Sequence, residues 1–213
     1  MSEELSRWYR GRMVFGPFRP FQIDEVSALE REIGLSLPMP YCRFLEAAGG
    51  SGLEYAIRVP NCEPEPHQSF SELYRLGHDE KGEYGYGTLL GEYRRQSGGW
   101  LDSEVSLDGL LPIARNGGGD TLFLDLNPAT HGSAHAFVHG IPGWAGLHQE
   151  DAFVKVADDF DAYLASLLID PDMAELTWTD VANMDSADPW RRTVEQWLDN
   201  GLPSWRDQAW ATD

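Results

Sequence analysis

A chain of 213 residues has room for one large domain, or for a domain of about 150 residues with an appendage. With 42% hydrophobic residues, among them eight Trp, eight Tyr and nine Phe, it can bury a core, which excludes an intrinsically disordered chain. Sixteen Lys and Arg against thirty-five Asp and Glu leave a formal net charge of −19, so nucleic acid and anionic lipid are the wrong partners and a basic protein is a suitable one.

Acidity of this size also suits plain solubility. A membrane span needs about 18 consecutive apolar residues, which the chain lacks, and Glu3, Glu4, Arg7, Arg10 and Arg12 interrupt the beginning where a signal peptide would be apolar. A cytoplasmic protein is expected. Cys42 and Cys62 are isolated thiols, which argues against a disulfide framework or a structural zinc site and for two free cysteines.

In chain order, residues 1–21 read as an N-terminal strap over the core, because Pro17 and Pro20 prevent a long helix between Trp8 and Phe21. Asp24 is placed to cap a first helix over 24–33, with Val26, Leu29 and Ile33 on one face and Gly34 as its stop. After Leu37-Pro38, Pro40 suits the first turn of a second helix whose Tyr41, Phe44, Leu45 and Ala48 form a stripe ending at Gly49-Gly50. Leu53, Tyr55, Ile57 and Val59 then alternate with polar residues up to Pro60, the period of a half-exposed strand with which the sheet is expected to begin. From Asn61 to Asp108 the pattern weakens: Ser69 to Leu76 suits a short helix, and Gly82 to Gly91 is rich in Gly and Tyr, as an exposed, variable stretch would be.

The strongest local signal is Leu110 to Leu126, two apolar runs around Asn116-Gly117-Gly118-Gly119-Asp120, which predicts a β-hairpin with glycines entering positive φ. A phosphate cradle would need a helix after the glycines, and a strand follows instead. Further strands are expected at Ala134 to Val138 and around Phe153 to Val156, with loop from Gly140 to Gly146 between them. Asp158 or Asp159 then caps a helix carrying Phe160, Tyr163, Leu164, Leu167 and Leu168, closed by Asp170-Pro171, where the core is expected to end. Beyond it, Asp188 and Pro189 start a helix with Trp190, Val194, Trp197 and Leu198 on one face, stopped by Gly201. That face is expected to dock on the domain itself, while Trp205 and Trp210 leave an intermolecular contact open.

His131, His135 and His139 recur every four residues, but Gly132 and Gly140 oppose a helix, a strand would hold the outer two about 26 Å apart, and His148 has no evident carboxylate partner. No metal site is expected. Neither a G-x-S-x-G elbow nor an H-E-x-x-H motif is present.

Several of these signals, in this order, resemble the SUKH superfamily: Leu37-Pro38 between two helices, Gly49-Gly50 after the second, Leu111-Pro112-Ile113-Ala114 with Asn116-Gly117-Gly118 and Asp120, and the closing helix Phe160 to Leu168. The resemblance spans roughly residues 22 to 170. It implies an α+β, SUKH-like domain over 22–170: a mainly antiparallel sheet flanked by two N-terminal helices and a closing helix. An acidic, Trp-rich helical extension over 171–213, packed on that domain, completes the expected organisation. From residue 150 onward fifteen acidic side chains face four basic ones.

The superfamily takes in bacterial immunity proteins that bind and neutralise polymorphic toxins, and fungal regulators of cell-wall synthesis. The resemblance therefore implies a non-enzymatic binding protein without cofactor, metal or catalytic residues. Its expected partner is a cognate toxin domain, a basic nuclease in keeping with the charge; the alternative is a regulatory interaction domain in wall synthesis or signalling. The expected contact patch lies in the variable stretch, where Glu80, Glu83, Glu92, Asp102 and Glu104 are interleaved with Tyr84, Tyr86, Tyr93 and Trp100. A glycine-loosened surface loop would have the same composition, and the oligomeric state stays open.

Overall fold

Arg10 and Gly11 take left-handed backbone conformations, φ 49° and 75°, and so fold the chain's beginning into a tight hairpin. Its strands β1 (Ser6–Tyr9) and β2 (Arg12–Phe15) pair Ser6 with Phe15 and Tyr9 with Arg12. The computed structural model describes residues 4–49, 52–63, 65–77, 87–96, 107–141 and 150–211. What reads from sequence as a strap is thus regular structure: Met13, Val14 and Phe15 are core residues.

Helices α1 (Ile23–Ile33) and α2 (Met39–Ala48) follow, burying the apolar faces expected of them. Gly34 closes α1 with φ 78°, a conformation that costs a side chain strain and glycine none. Asp24 is not the cap; Gln22 holds that position without a side-chain bond, and Asp24 and Glu25 sit in the first turn, where the helix dipole favours negative charge. Tyr41 and Phe44 of α2 pack on Phe160, with ring centroids 4.9 and 5.0 Å away.

The next segment departs from the expected pattern. Only Ala56–Arg58 forms strand β3, and it pairs with β4 (His67–Ser69) as a separate two-stranded ribbon outside the main sheet. Its other edge is occupied by Leu168, which exchanges two backbone hydrogen bonds with Ala56, at 2.8 and 2.9 Å. The helix expected over Ser69 to Leu76 is extended chain. Strand β5 (Glu72–Leu73) pairs with Arg115 and Ala114, and Tyr74 donates its N–H to the Ile113 carbonyl, so a neighbouring strand overrides local propensity. The helix α3 (Leu89–Arg95) comes next, capped by Thr88, whose Oγ1 accepts from the Gly91 N–H.

The central hairpin is as expected: β6 (Leu110–Arg115) and β7 (Thr121–Asp125) run antiparallel with a bulge between Pro112 and Ala114. With β8 (Ala134–Val138) and β9 (Ala152–Ala157) they complete a sheet of order β5-β6-β7-β8-β9, antiparallel throughout. Gly52 joins the first hairpin to this sheet by exchanging hydrogen bonds with Phe15 and bridging to Glu72. There is little room at that join, since a Cβ on Gly52 would lie 3.2 Å from that of Phe15.

Asn116 and Asp120, more than the glycines, hold the β6–β7 turn. Asn116 Oδ1 accepts from the N–H groups of Gly118 and Asp120, and Asp120 accepts from Asn116 Nδ2 at 2.6 Å and from the His139 N–H at 2.8 Å. Of the three consecutive glycines only Gly119 has positive φ, 96°, so Gly117 and Gly118 do not supply the freedom expected of them. Asp120→Ala should cost about 1–2 kcal/mol, measured by urea denaturation, because the partly buried His139 N–H and the Asn116 amide lose the charged acceptor that the buried Asp120 supplies.

The core does not end at Asp170-Pro171. Asp159 caps helix α4 (Phe160–Ser166), whose last carbonyls, those of Leu164 and Ala165, accept hydrogen bonds from the Arg12 guanidinium. Asp170 then caps a new helix, α5 (Pro171–Val181), and Asp188 caps α6 (Pro189–Gly201). Ala174, Trp178 and Val181 of α5, Val194, Trp197 and Leu198 of α6, and Trp205 beyond them join the same hydrophobic core as the sheet and α1, α2 and α4. Trp197 packs edge-on against Tyr55 and Phe15, and Ile169 lies so close to Gly201 that a Cβ there would meet it at 2.3 Å. No helix among the described residues is long and apolar enough to cross a membrane.

Candidate partner-binding surface

Of the nine residues expected to make the contact patch, Glu80, Glu83, Tyr84, Tyr86, Trp100, Asp102 and Glu104 lie outside the described residues. Glu92 and Tyr93 lie on α3, and Glu92 is a correction. It is 0% exposed, its Oε2 accepting from Arg95 Nε at 2.8 Å and Nη2 at 2.5 Å, and its Oε1 from the Gly87 N–H. Leu89 and Leu90 turn this side of the short helix into the protein, and Arg95, three residues on, follows Glu92 as its counter-ion. A carboxylate so engaged is not offered to a partner. The Tyr74 hydroxyl is pushed above the usual phenol range by burial and then by the Glu92 charge. Tyr93 is half-buried against the main core. The spacing of Glu92 and Arg95 behind two leucines was the available sign.

One set of polar side chains invites a catalytic reading. Ser133 Oγ lies 3.0 Å from His135 Nε2, and Asp125 Oδ2 lies 3.9 Å from that same nitrogen. A serine-histidine-acid relay needs the acid on the opposite ring nitrogen, where it can orient the imidazole while the serine uses the other. Here both compete for one. Ser133 is also buried. Asp125 serves the β7–β8 turn instead, accepting from the Asn127 N–H, Asn127 Nδ2 and Thr130 Oγ1. Burial works to raise its pKa, but these hydrogen bonds and His135 outweigh it and hold the carboxyl low. Burial lowers the pKa of His135 despite Asp125, so its ring is neutral at pH 7, stacked on Phe153 at 5.4 Å.

The two histidines spaced four residues to either side of His135 are equally local: His131 Nε2 bonds the Ser36 carbonyl and His139 sets its ring edge against Phe137. No group of three His, Cys, Asp or Glu suited to a metal occurs among the described residues. Cys42 and Cys62 are free thiols, both pushed up by burial and then by neighbouring carboxylates, which suppresses the reactive thiolate.

Among the described residues, two concave surfaces are acidic. Near β9, a cleft brings together Glu63, Glu150 and Asp151. The second, an open groove of about 450 Å³, lies where β2, β5 and the C-terminal helices meet. Glu54 and Glu72 line it together with Asp180 and Leu176 of α5 and Trp190 of α6. Trp190 is 36% exposed and Leu176 68%, so the groove joins apolar surface to carboxylates. These residues are far apart in sequence, and no motif links them. The indication was only that Trp190 begins the apolar face of α6 one turn earlier than its buried members.

No curated protein and no solved structure is matched by the chain. A family profile does match, over residues 20–166, which run from just before α1 to the last residue of α4 and make up well over half of the sequence. The two leading helices, the antiparallel sheet with its Asn116–Asp120 turn and the closing α4 all lie within that span, and the chain belongs to the SMI1 / KNR4 family (SUKH-1).

Proposed function

We propose that this is an immunity protein, which binds a cognate polymorphic toxin in the cytoplasm and neutralises it without catalysis of its own. The family covers toxin immunity proteins as well as the regulators that give it its name. What favours immunity within that choice is charge: a formal net charge of −19 is a poor match for nucleic acid and a good one for a protein that carries Lys and Arg to grip nucleic acid. A basic nuclease toxin is the partner class this predicts. The inhibitor then works by occupying or shielding the cationic substrate-binding surface.

The test is a pull-down from the producing cells with the purified protein, followed by binding and nuclease assays on any toxin domain recovered. A basic domain whose nuclease activity is lost in the complex is expected, with affinity falling tenfold or more between low and moderate salt. Recovery of signalling or wall-synthesis proteins alone would instead make this a regulatory interaction domain. A complex indifferent to salt would refute the electrostatic account.

A further inference from the structure

We infer that the groove between β2, β5, α5 and α6 receives an arginine-bearing segment of the protein partner, with Trp190 as its platform and Glu54 and Asp180 as its counter-charges. The inference rests on the binding reading above and adds to it a site and a side-chain chemistry.

Glu54 is the first observation. It is half-buried and, among the described residues, has neither a hydrogen bond nor an ion pair, whereas Glu25, Glu32, Glu72 and Glu92 each face an arginine. Burial pushes its carboxyl up, and Glu72 beside it pushes in the same direction. A half-buried carboxylate without a cation is a costly feature for a fold to keep, and a cation arriving from outside removes the cost.

Among the described residues the neighbouring arginines are already engaged. On the surrounding elements Arg12 is held by the carbonyls of Leu164 and Ala165, Arg115 by Glu72, and Arg191 by Glu195 and the carbonyls of Ala182 and Met184. Arg192 is bonded to the Ser186 carbonyl. Asp180, also lining the groove, is exposed and without an ion pair among the described residues.

Trp190 is the second observation. Phe15 holds its ring edge-on at 5.6 Å, so the indole is positioned although it is partly exposed. An indole flanked by carboxylates suits a guanidinium, which is planar, stacks on aromatic rings and forms paired hydrogen bonds to carboxylate; an ammonium does the last two poorly. Metal ions have no three-ligand group here among the described residues, and phosphate would meet like charge.

The experiment uses the full chain, isotopically labelled, titrated with the peptide acetyl-Gly-Arg-Gly-Arg-Gly-amide and with the same peptide carrying uncharged citrulline for arginine. The arginine peptide is expected to shift the amide signals of Gly52 and Glu54 and the Trp190 indole N–H. Binding should be at least tenfold weaker with citrulline, with Glu54→Gln and with the exposed Asp180→Asn. Glu54→Gln should meanwhile melt at the same or a higher temperature at pH 7, because ionised Glu54 opposes folding there and the amide does not. Shifts spread evenly over the acidic surface, or equal binding by citrulline or by both variants, would overturn the site. With a captured basic toxin, variants that neutralise it as well as the unaltered protein refute the groove and leave immunity standing. Arginine-peptide binding in the groove by a protein that neutralises no toxin does the reverse.

Discussion

Ending the chain after Asp170 should abolish cooperative unfolding. The shortened chain keeps the whole span of the family match, yet it loses Trp178, Val181, Val194, Trp197, Leu198 and Trp205 from one continuous core. Burying each such side chain contributes about 1.5–3 kcal/mol or more, and a domain's net stability is only about 5–15 kcal/mol. The lost residues no longer need ordering, which offsets part of the loss. What is not offset is the surface left bare on the remaining chain, where Phe15 and Tyr55 would face water in place of Trp197 and Ile169 would lose its contact with α6. Calorimetry decides this. Residues 1–170 should give no heat-absorption peak and should bind a hydrophobic dye, and a sharp transition near that of the full chain would mean that the core closes without α5 and α6.

Replacing Arg95 by methionine should cost about 3–5 kcal/mol, since it strands the fully buried Glu92 carboxylate with little beyond one long hydrogen bond from Gly87. Replacing both residues by methionine should recover most of that loss, because the expensive feature is the unpaired charge and not the missing pair. Urea denaturation of the two single variants and the double variant measures the coupling. If Arg95→Met costs less than about 1 kcal/mol, water reaches Glu92, and the residue returns to the set available to a partner.

Elements whose structure depends on neighbours in the chain were readable in advance. Gly34 closes α1 and Pro40 opens α2 because backbone dihedrals at those positions are restricted or released by the residue itself. The turn between β6 and β7 follows from Asn116 and Asp120 bonding nearby amides, and α6 follows from Asp188-Pro189 and a stripe of period 3.6. Segments that depend on distant partners were misread. Ser69 to Leu76 is extended because β6 lies beside it, and β3 leaves the main sheet because Leu168 takes its free edge.

The site divides along the same line. Composition alone determined the net charge of −19 and with it the sign of any favoured partner, since summed charge does not depend on where residues lie. Sequence order alone carried the family likeness. Whether a particular carboxylate faces solvent is a different kind of fact, because it depends on which surfaces pack together. Glu92 and Glu54 look alike in the sequence, one beside arginines on α3 and the other in an alternating strand pattern. Only the tertiary structure buries the first against Arg95 and sets the second, unpaired among the described residues, in a groove with Trp190, a residue far away along the chain.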